Sequence, residues 1–192
     1  MKRVSPFFMV LMLVAGGVWY AWGPQVWPSQ EDPATPEPQL VLPYATKPEV
    51  GRLAPNFLLQ DLAGRSVRLS DFLGHPVILT FWTTRCPFCL TQLRSLSQLA
   101  NTHRDQVSVV AVNRQEIPVT VGSYLDLYLM PTDMGILLDP TDDVYRRYQA
   151  EAMPEIFFID TTGVIRDHKR GELLPDELEV RLAPLLPAAL PH

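Results

Sequence analysis

Six consecutive uncharged residues, Val77-Ile78-Leu79-Thr80-Phe81-Trp82, are nearly all β-branched, aromatic or leucine. Such a run reads as a strand covered on both faces, the position of a central strand in an α/β sheet. Just beyond it come Cys86 and Cys89, both cysteines of the chain. Leu90, Leu93, Leu96, Ser97 and Ala100 then recur at helical spacing to about His103, and Val107 to Val112 forms a second buried strand. Strand, helix and strand with a crossover of this length make a βαβ unit, which sets the two strands parallel.

The surrounding segments extend this core. "NFLLQDLAGRSVRLSDFLG" reads as a hairpin of two short strands around Ala63-Gly64-Arg65, with Ser70 and Asp71 as a helix-start signal. Helices are expected over Val119–Met130 and Asp142–Ala150, the second with Asp142 and Asp143 in its first turn, where the helix dipole favours acids. Ile156–Asp160 reads as a strand, joined through Thr161-Thr162-Gly163 to Val164–His168 as a second hairpin. Pro175–Leu186 closes the chain as a helix with proline near its start. The sum is an α/β domain over residues 51–192, with a parallel centre and an antiparallel edge.

The first 50 residues do not belong to that domain. Lys2 and Arg3 precede 19 uncharged, mostly apolar residues from Val4 to Trp22, just enough to span a bilayer as a helix. The basic residues on its N-terminal side predict an N-in orientation, with the remainder outside the cytoplasm. A cleaved signal peptide is the competing reading, and Ala15-Gly16-Gly17 offers small residues for cleavage. The tryptophans and tyrosine of "VWYAWGPQVW" suit a bilayer interface and favour an uncleaved membrane anchor over 1–22. Residues 23–50 hold seven of the 19 prolines and read as an extended linker. A net charge of −5 argues against a nucleic-acid binder.

The two cysteines could be a redox pair, half of a metal site or a small staple. Pro87 suits the first position of a helix, which would put Cys86 at the helix N-terminus and Cys89 one turn further in. The helix dipole there stabilises a thiolate, so Cys86 is the candidate nucleophile and Cys89 the resolving thiol. Structural zinc usually takes four Cys or His ligands, and His75, His103, His168 and His192 are scattered. A copper carrier is possible with two thiolates, but no Met or His stands beside them. A disulfide across two residues closes too small a loop to constrain the unfolded chain much. The redox reading therefore leads, with the Cys86–Cys89 disulfide itself as the redox group and neither metal nor other cofactor called for. A peroxiredoxin nucleophile follows Pro-x-x-x-Thr-x-x-Cys, and here Leu79 stands where that proline would be.

The segment "APNFLLQDLAGRSVRLSDFLGHPVILTFWTTRCPFC", with "VVAVN", "LLDPTDDVYRRY" and "MPEIFFIDTTGVI" downstream, resembles the TlpA/ResA/CcmG branch of the thioredoxin family over about Leu53 to Leu186. The resemblance implies a thioredoxin-like fold with a central mixed sheet, an N-terminal β-hairpin extension and a preceding transmembrane helix. It also implies a membrane-tethered, extracytoplasmic thiol-disulfide oxidoreductase. Many members keep target cysteines reduced, notably the haem-attachment cysteines of cytochrome c. Carried over residue by residue, Pro154 matches a cis-proline beside the cysteine pair, which exposes the Met153 backbone to an extended substrate. Glu116 matches an acid near the active site that would exchange a proton with Cys89 if burial raises its pKa. Thr80 stands where thioredoxin keeps a buried aspartate, so Glu116 is the local candidate acid. Arg85 is a departure, since many relatives carry Trp there. It adds positive charge beside Cys86 and removes an aromatic from the docking face, where Phe88 and Trp82 are the remaining candidate contacts.

The expected function is thus reduction of protein disulfides, with apocytochrome c as first-choice substrate and a membrane-embedded electron donor. An oxidant or isomerase of secreted proteins, or a metal-binding module on the same fold, are the alternatives. With two cysteines and no third thiol, the chain must exchange electrons with other proteins.

Overall fold

The computed structural model describes residues 48–130 and 133–186, all inside the compact unit Leu42–His192. The expected anchor and all but the last three residues of the Pro-rich linker lie outside the described residues. Among those that are described, no helix is long and apolar enough to cross a membrane.

Strand β3 (Val77–Trp82) is buried at every position, as its unbroken apolar composition requires. It pairs in parallel with β4 (Ser108–Arg114), from Val77 opposite Ser108 to Trp82 opposite Asn113. The other neighbour of β3 is β6 (Glu155–Ile159), antiparallel, from Val77 opposite Ile159 to Phe81 opposite Glu155. Beyond β6 lies β7 (Ile165–Arg170), and beyond β4 lie β5 (Gly135–Asp139), β1 (Leu58–Asp61) and β2 (Ser66–Arg68). The order β2-β1-β5-β4-β3-β6-β7 gives a mixed sheet of the thioredoxin type, parallel at β3, β4 and β5 and antiparallel toward both edges.

Alternation along β3 sends its side chains into two cores. Ile78 and Trp82 join Leu93 and Leu96 of α1 (Cys89–Thr102), Val121 of α2 (Pro118–Leu127) and Leu178 and Leu182 of α4 (Pro175–Leu182). On the other face Leu79 and Phe81 join Val110, Val112, Phe157, Tyr148 and Val144 of α3 (Asp143–Arg147). Each such fully buried aliphatic or aromatic side chain contributes about 1.5–3 kcal/mol of hydrophobic stabilisation. The N-terminal hairpin turns as expected: Asp61 Oδ1 accepts the N–H of Ala63 and of Arg65 at 2.9 Å, and Gly64 takes a left-handed φ of 78° that a Cβ would disfavour.

Three expectations need correction. Ser70 and Asp71 start no helix but lie inside a 3-10 turn, Leu69–Phe72. The helices expected over Val119–Met130 and Asp142–Ala150 both stop early, for the same reason. Leu129 (φ 48°) and Gln149 (φ 47°) are left-handed; Met130 N–H bonds Leu125 O, and Ala150 N–H bonds Tyr145 O. These are Schellman closures with a leucine and a glutamine where glycine is usual. Asp142 is not in the first turn of α3 but precedes it at φ 64°. Strand β5 has no counterpart in the sequence reading.

Candidate active site

The parallel strands β3, β4 and β5 all point their C-terminal ends to one edge of the sheet, where α/β proteins build their sites. Cys86 follows β3, Glu116 follows β4 and Asp142 follows β5. Because β6 runs the opposite way and Glu155 sits opposite Phe81, the start of β6 brings Met153 and Pro154 to the same edge.

Cys86 and Cys89 are joined as a disulfide, their Cα atoms 5.3 Å apart. The helix starts at Cys89 rather than at Pro87, which corrects the sequence expectation. The Cys86 carbonyl accepts the Cys89 N–H at 3.3 Å, a tight i to i+3 turn in place of a full helical bond. Cys86 therefore stands just ahead of α1, facing its N-terminal end, and is 8% exposed. Cys89 is completely buried. The Met153–Pro154 peptide is cis, and the Met153 carbonyl oxygen lies 3.5 Å from Cys86 Sγ.

Phe88 is 60% exposed between the two cysteines. Arg85 extends into solvent, with Nε 3.9 Å from Glu116 Oε1. Trp82 does not share that surface: it is fully buried against Tyr124, ring centroids 5.9 Å apart, and supports the cysteine loop from below. As a direct substrate contact it is corrected by its burial.

Glu116 is tied down by three hydrogen bonds. Oε2 accepts the Thr84 N–H at 2.9 Å and the Asn113 side-chain amide at 2.7 Å, and Oε1 accepts the Thr84 hydroxyl at 2.6 Å. Burial pushes its pKa up, but these bonds and the Arg85 charge outweigh burial and hold it below the ordinary carboxylate range. The carboxylate is thus ionised at neutral pH. The expectation of a raised pKa does not hold, and Glu116 anchors the Thr84–Arg85 turn rather than standing as a poised acid. Gln115 before it is left-handed (φ 54°), which turns the chain sharply after β4.

Sequence reading missed several groups at this edge. Glu155 is fully buried; Oε2 accepts the N–H of Glu151 (2.6 Å) and Ala152 (2.8 Å), and Oε1 lies 2.6 Å from His168 Nε2. Its signal was a single carboxylate heading the apolar run "IFFI". Arg114 and Asp142, 28 positions apart, pair through Nε and Oδ1 at 2.6 Å. Asp139 is buried, which pushes its pKa up against the N–H bonds from Tyr145, Val144 and Asp143 that favour its charge. Among the described residues, no three His, Cys, Asp or Glu side chains are grouped to hold a metal.

Comparison with known proteins points the same way as the geometry. Residues 50–168 match the AhpC/TSA family. The thiol-disulfide oxidoreductase ResA of Geobacillus kaustophilus is 31% identical over 139 residues, covering 72% of this chain and 79% of that protein. ResA of Bacillus thuringiensis is 29% identical over 142 residues, covering 73% and 81%. A Chlorobium tepidum protein assigned as thiol:disulfide interchange protein DsbE superposes with a TM-score of 0.67 at 28% identity, covering 72% of this chain and 99% of its own. A secreted Mycobacterium tuberculosis disulfide oxidoreductase homologous to E. coli DsbE gives 0.60 at 26% identity, covering 67% and 96%.

Proposed function

Given that the chain belongs to the AhpC/TSA family and to the ResA-type thiol-disulfide oxidoreductases, we propose that its Cys86–Cys89 pair reduces protein disulfides outside the cytoplasm. The observation that carries this reading is an asymmetry. Cys86 keeps 8% of its surface exposed and lies against the Met153 carbonyl, while Cys89 has none exposed.

In the reduced state the Cys86 thiolate attacks one sulfur of a substrate disulfide. A Cys86–substrate disulfide forms and the first substrate sulfur leaves as a thiolate. Cys89, deprotonated, then attacks the Cys86 sulfur and expels the second substrate thiolate. The proton given up by Cys89 ends on the departing sulfur. Two electrons have moved to the substrate, and the chain is left as the Cys86–Cys89 disulfide. The N-terminal end of α1 and the Arg85 guanidinium both favour the Cys86 thiolate. Met153 offers its main chain to an extended substrate segment, and Phe88 adds an apolar contact beside the exchanging sulfurs.

The finer reading is a single-pass, N-in membrane protein whose domain keeps haem-attachment cysteines of apocytochrome c reduced, and which is itself reduced by a membrane-embedded dithiol donor. The apolar segment 4–22 behind Lys2 and Arg3 supports it. The deciding experiment is the reduction potential of the Cys86–Cys89 couple. A value near ~−270 mV fits a reductant, whereas one near ~−120 mV would make the chain an oxidant of secreted proteins.

A further inference from the structure

Met153 is gripped at both ends. Its carbonyl oxygen stands 3.5 Å from Cys86 Sγ, and its thioether sulfur stands 3.5 Å from Arg114 Nη1. Methionine has three rotatable side-chain bonds, and left alone it is an adaptable filler that fixes nothing. The guanidinium on its sulfur is anything but adaptable. Arg114 pairs with Asp142 through two nitrogens, and its plane covers the Tyr145 ring with Cζ 3.3 Å from the centroid. Only 15% of the Arg114 side chain is exposed. A forked ion pair combined with stacking leaves arginine little freedom, and lysine could not reproduce it. Asp142 reaches Arg114 from its left-handed backbone at the start of α3.

The backbone just before Met153 is held from the other side, where the Glu155 carboxylate takes the N–H groups of Glu151 and Ala152. The loop that faces Cys86 is therefore suspended between two charged groups, fully buried Glu155 and half-buried Arg114. Glu155 fixes its main chain and Arg114 fixes its last side chain.

We propose that Arg114 is a positioning residue for substrate docking: through the Met153 thioether it fixes the main chain that an extended substrate pairs with, while leaving the reactivity of Cys86 itself unchanged. The inference rests on the exchange reaction above. It assigns the Arg114–Asp142 pair a purpose beyond joining β4 to α3.

The test is steady-state reduction of insulin, a protein disulfide, with dithiothreitol as the terminal reductant, beside the reaction of the reduced chain with 5,5′-dithiobis-(2-nitrobenzoate), a small disulfide that needs no extended docking. In the full-length chain, R114Q raises KM for insulin about fivefold, the fold-change matching a hydrogen bond of ordinary net worth, with kcat and the small-disulfide rate unchanged. R114K falls between R114Q and the parent. M153L, which keeps the volume and removes the sulfur, raises KM similarly, and R114Q/M153L is no worse than either single change. The proposal is overturned if R114Q leaves KM alone, lowers both reactions in parallel, or multiplies with M153L. Should R114Q fail to fold, D142N and the M153L arm carry the same comparison. Failure of the parent chain to reduce insulin would strike the reductase reading instead; the KM comparison then runs in reverse, with reduced ribonuclease as the thiol substrate and oxidised glutathione as the terminal oxidant.

Discussion

Glu116 receives both the main-chain N–H and the hydroxyl of Thr84, at 2.9 and 2.6 Å, 32 positions away in the sequence. Thr84 lies two residues before Cys86, so this pair of hydrogen bonds holds the loop that carries Cys86.

Its folded pKa lies below the ordinary carboxylate value. The stabilisation is therefore complete above the unfolded pKa, ~4.3, and is lost as pH falls through the lower folded pKa. Glu116→Gln should be less stable than the parent at pH 7, and the gap should close as pH is lowered through that window. Denaturant unfolding of both chains across pH 7 to 3 measures this. A gap that widens toward acid would mean that Glu116 is held protonated in the fold.

The sealed position of Cys89 predicts an asymmetric trap. Cys89→Ser should accumulate mixed disulfides on Cys86, because the second attack is missing. Cys86→Ser should accumulate none, because fully buried Cys89 cannot meet a protein substrate. Non-reducing gels and peptide mass spectrometry after rapid alkylation distinguish the two. Comparable adducts on both variants would remove the assignment of nucleophile and resolving thiol.

Trp82 and Phe88 flank the same loop and should respond oppositely to truncation. Trp82→Ala empties a fully buried site and should cost about 3–5 kcal/mol. Phe88→Ala removes an exposed ring and should change stability by less than about 0.5 kcal/mol, while raising KM for protein disulfides. Chemical denaturation with parallel insulin kinetics reads both. An unchanged KM for Phe88→Ala would take that ring off the docking face.

The contrast between Trp82 and Phe88 also marks what the sequence could reveal. Cysteine spacing, the flanking strand and the helical repeat of Leu93 and Leu96 are local properties, and they were legible. Strand β5 was not: "GILLD" is a short apolar run whose identity is fixed by β4 on one side and β1 on the other, not by its own period. The early ends of α2 and α3 escaped because Leu129 and Gln149 take a conformation their residue types do not advertise. At the site, Glu155, Arg114 and Asp142 depend on register. Glu155 faces the active edge because it pairs with Phe81, and Arg114 because it pairs with Asp139. The burial of Trp82 was legible too, since it closes the run read as covered on both faces, and that burial is what takes it off the docking surface.

Arg85 remains the residue that most separates charge from packing. Its side chain is 78% exposed and 3.9 Å from Glu116, a surface pair worth no more than about 1 kcal/mol. Arg85→Ala should therefore leave the unfolding midpoint almost unchanged. Its charge, however, sits one residue before Cys86, where a cation stabilises a thiolate and lowers the thiol pKa. The pH profile of Cys86 alkylation by iodoacetamide should move to higher pH in Arg85→Ala. Screening shortens the reach of an exposed charge from ~10 Å at 0.1 M salt to ~3 Å at 1 M. The separation between the two profiles should accordingly shrink at 1 M salt, while Arg85→Lys keeps most of the parent behaviour at low salt. A shift that persists unchanged at high salt, or that Arg85→Lys shows in full, would mean that Arg85 acts through the shape of the Thr84–Cys86 turn and not through its charge.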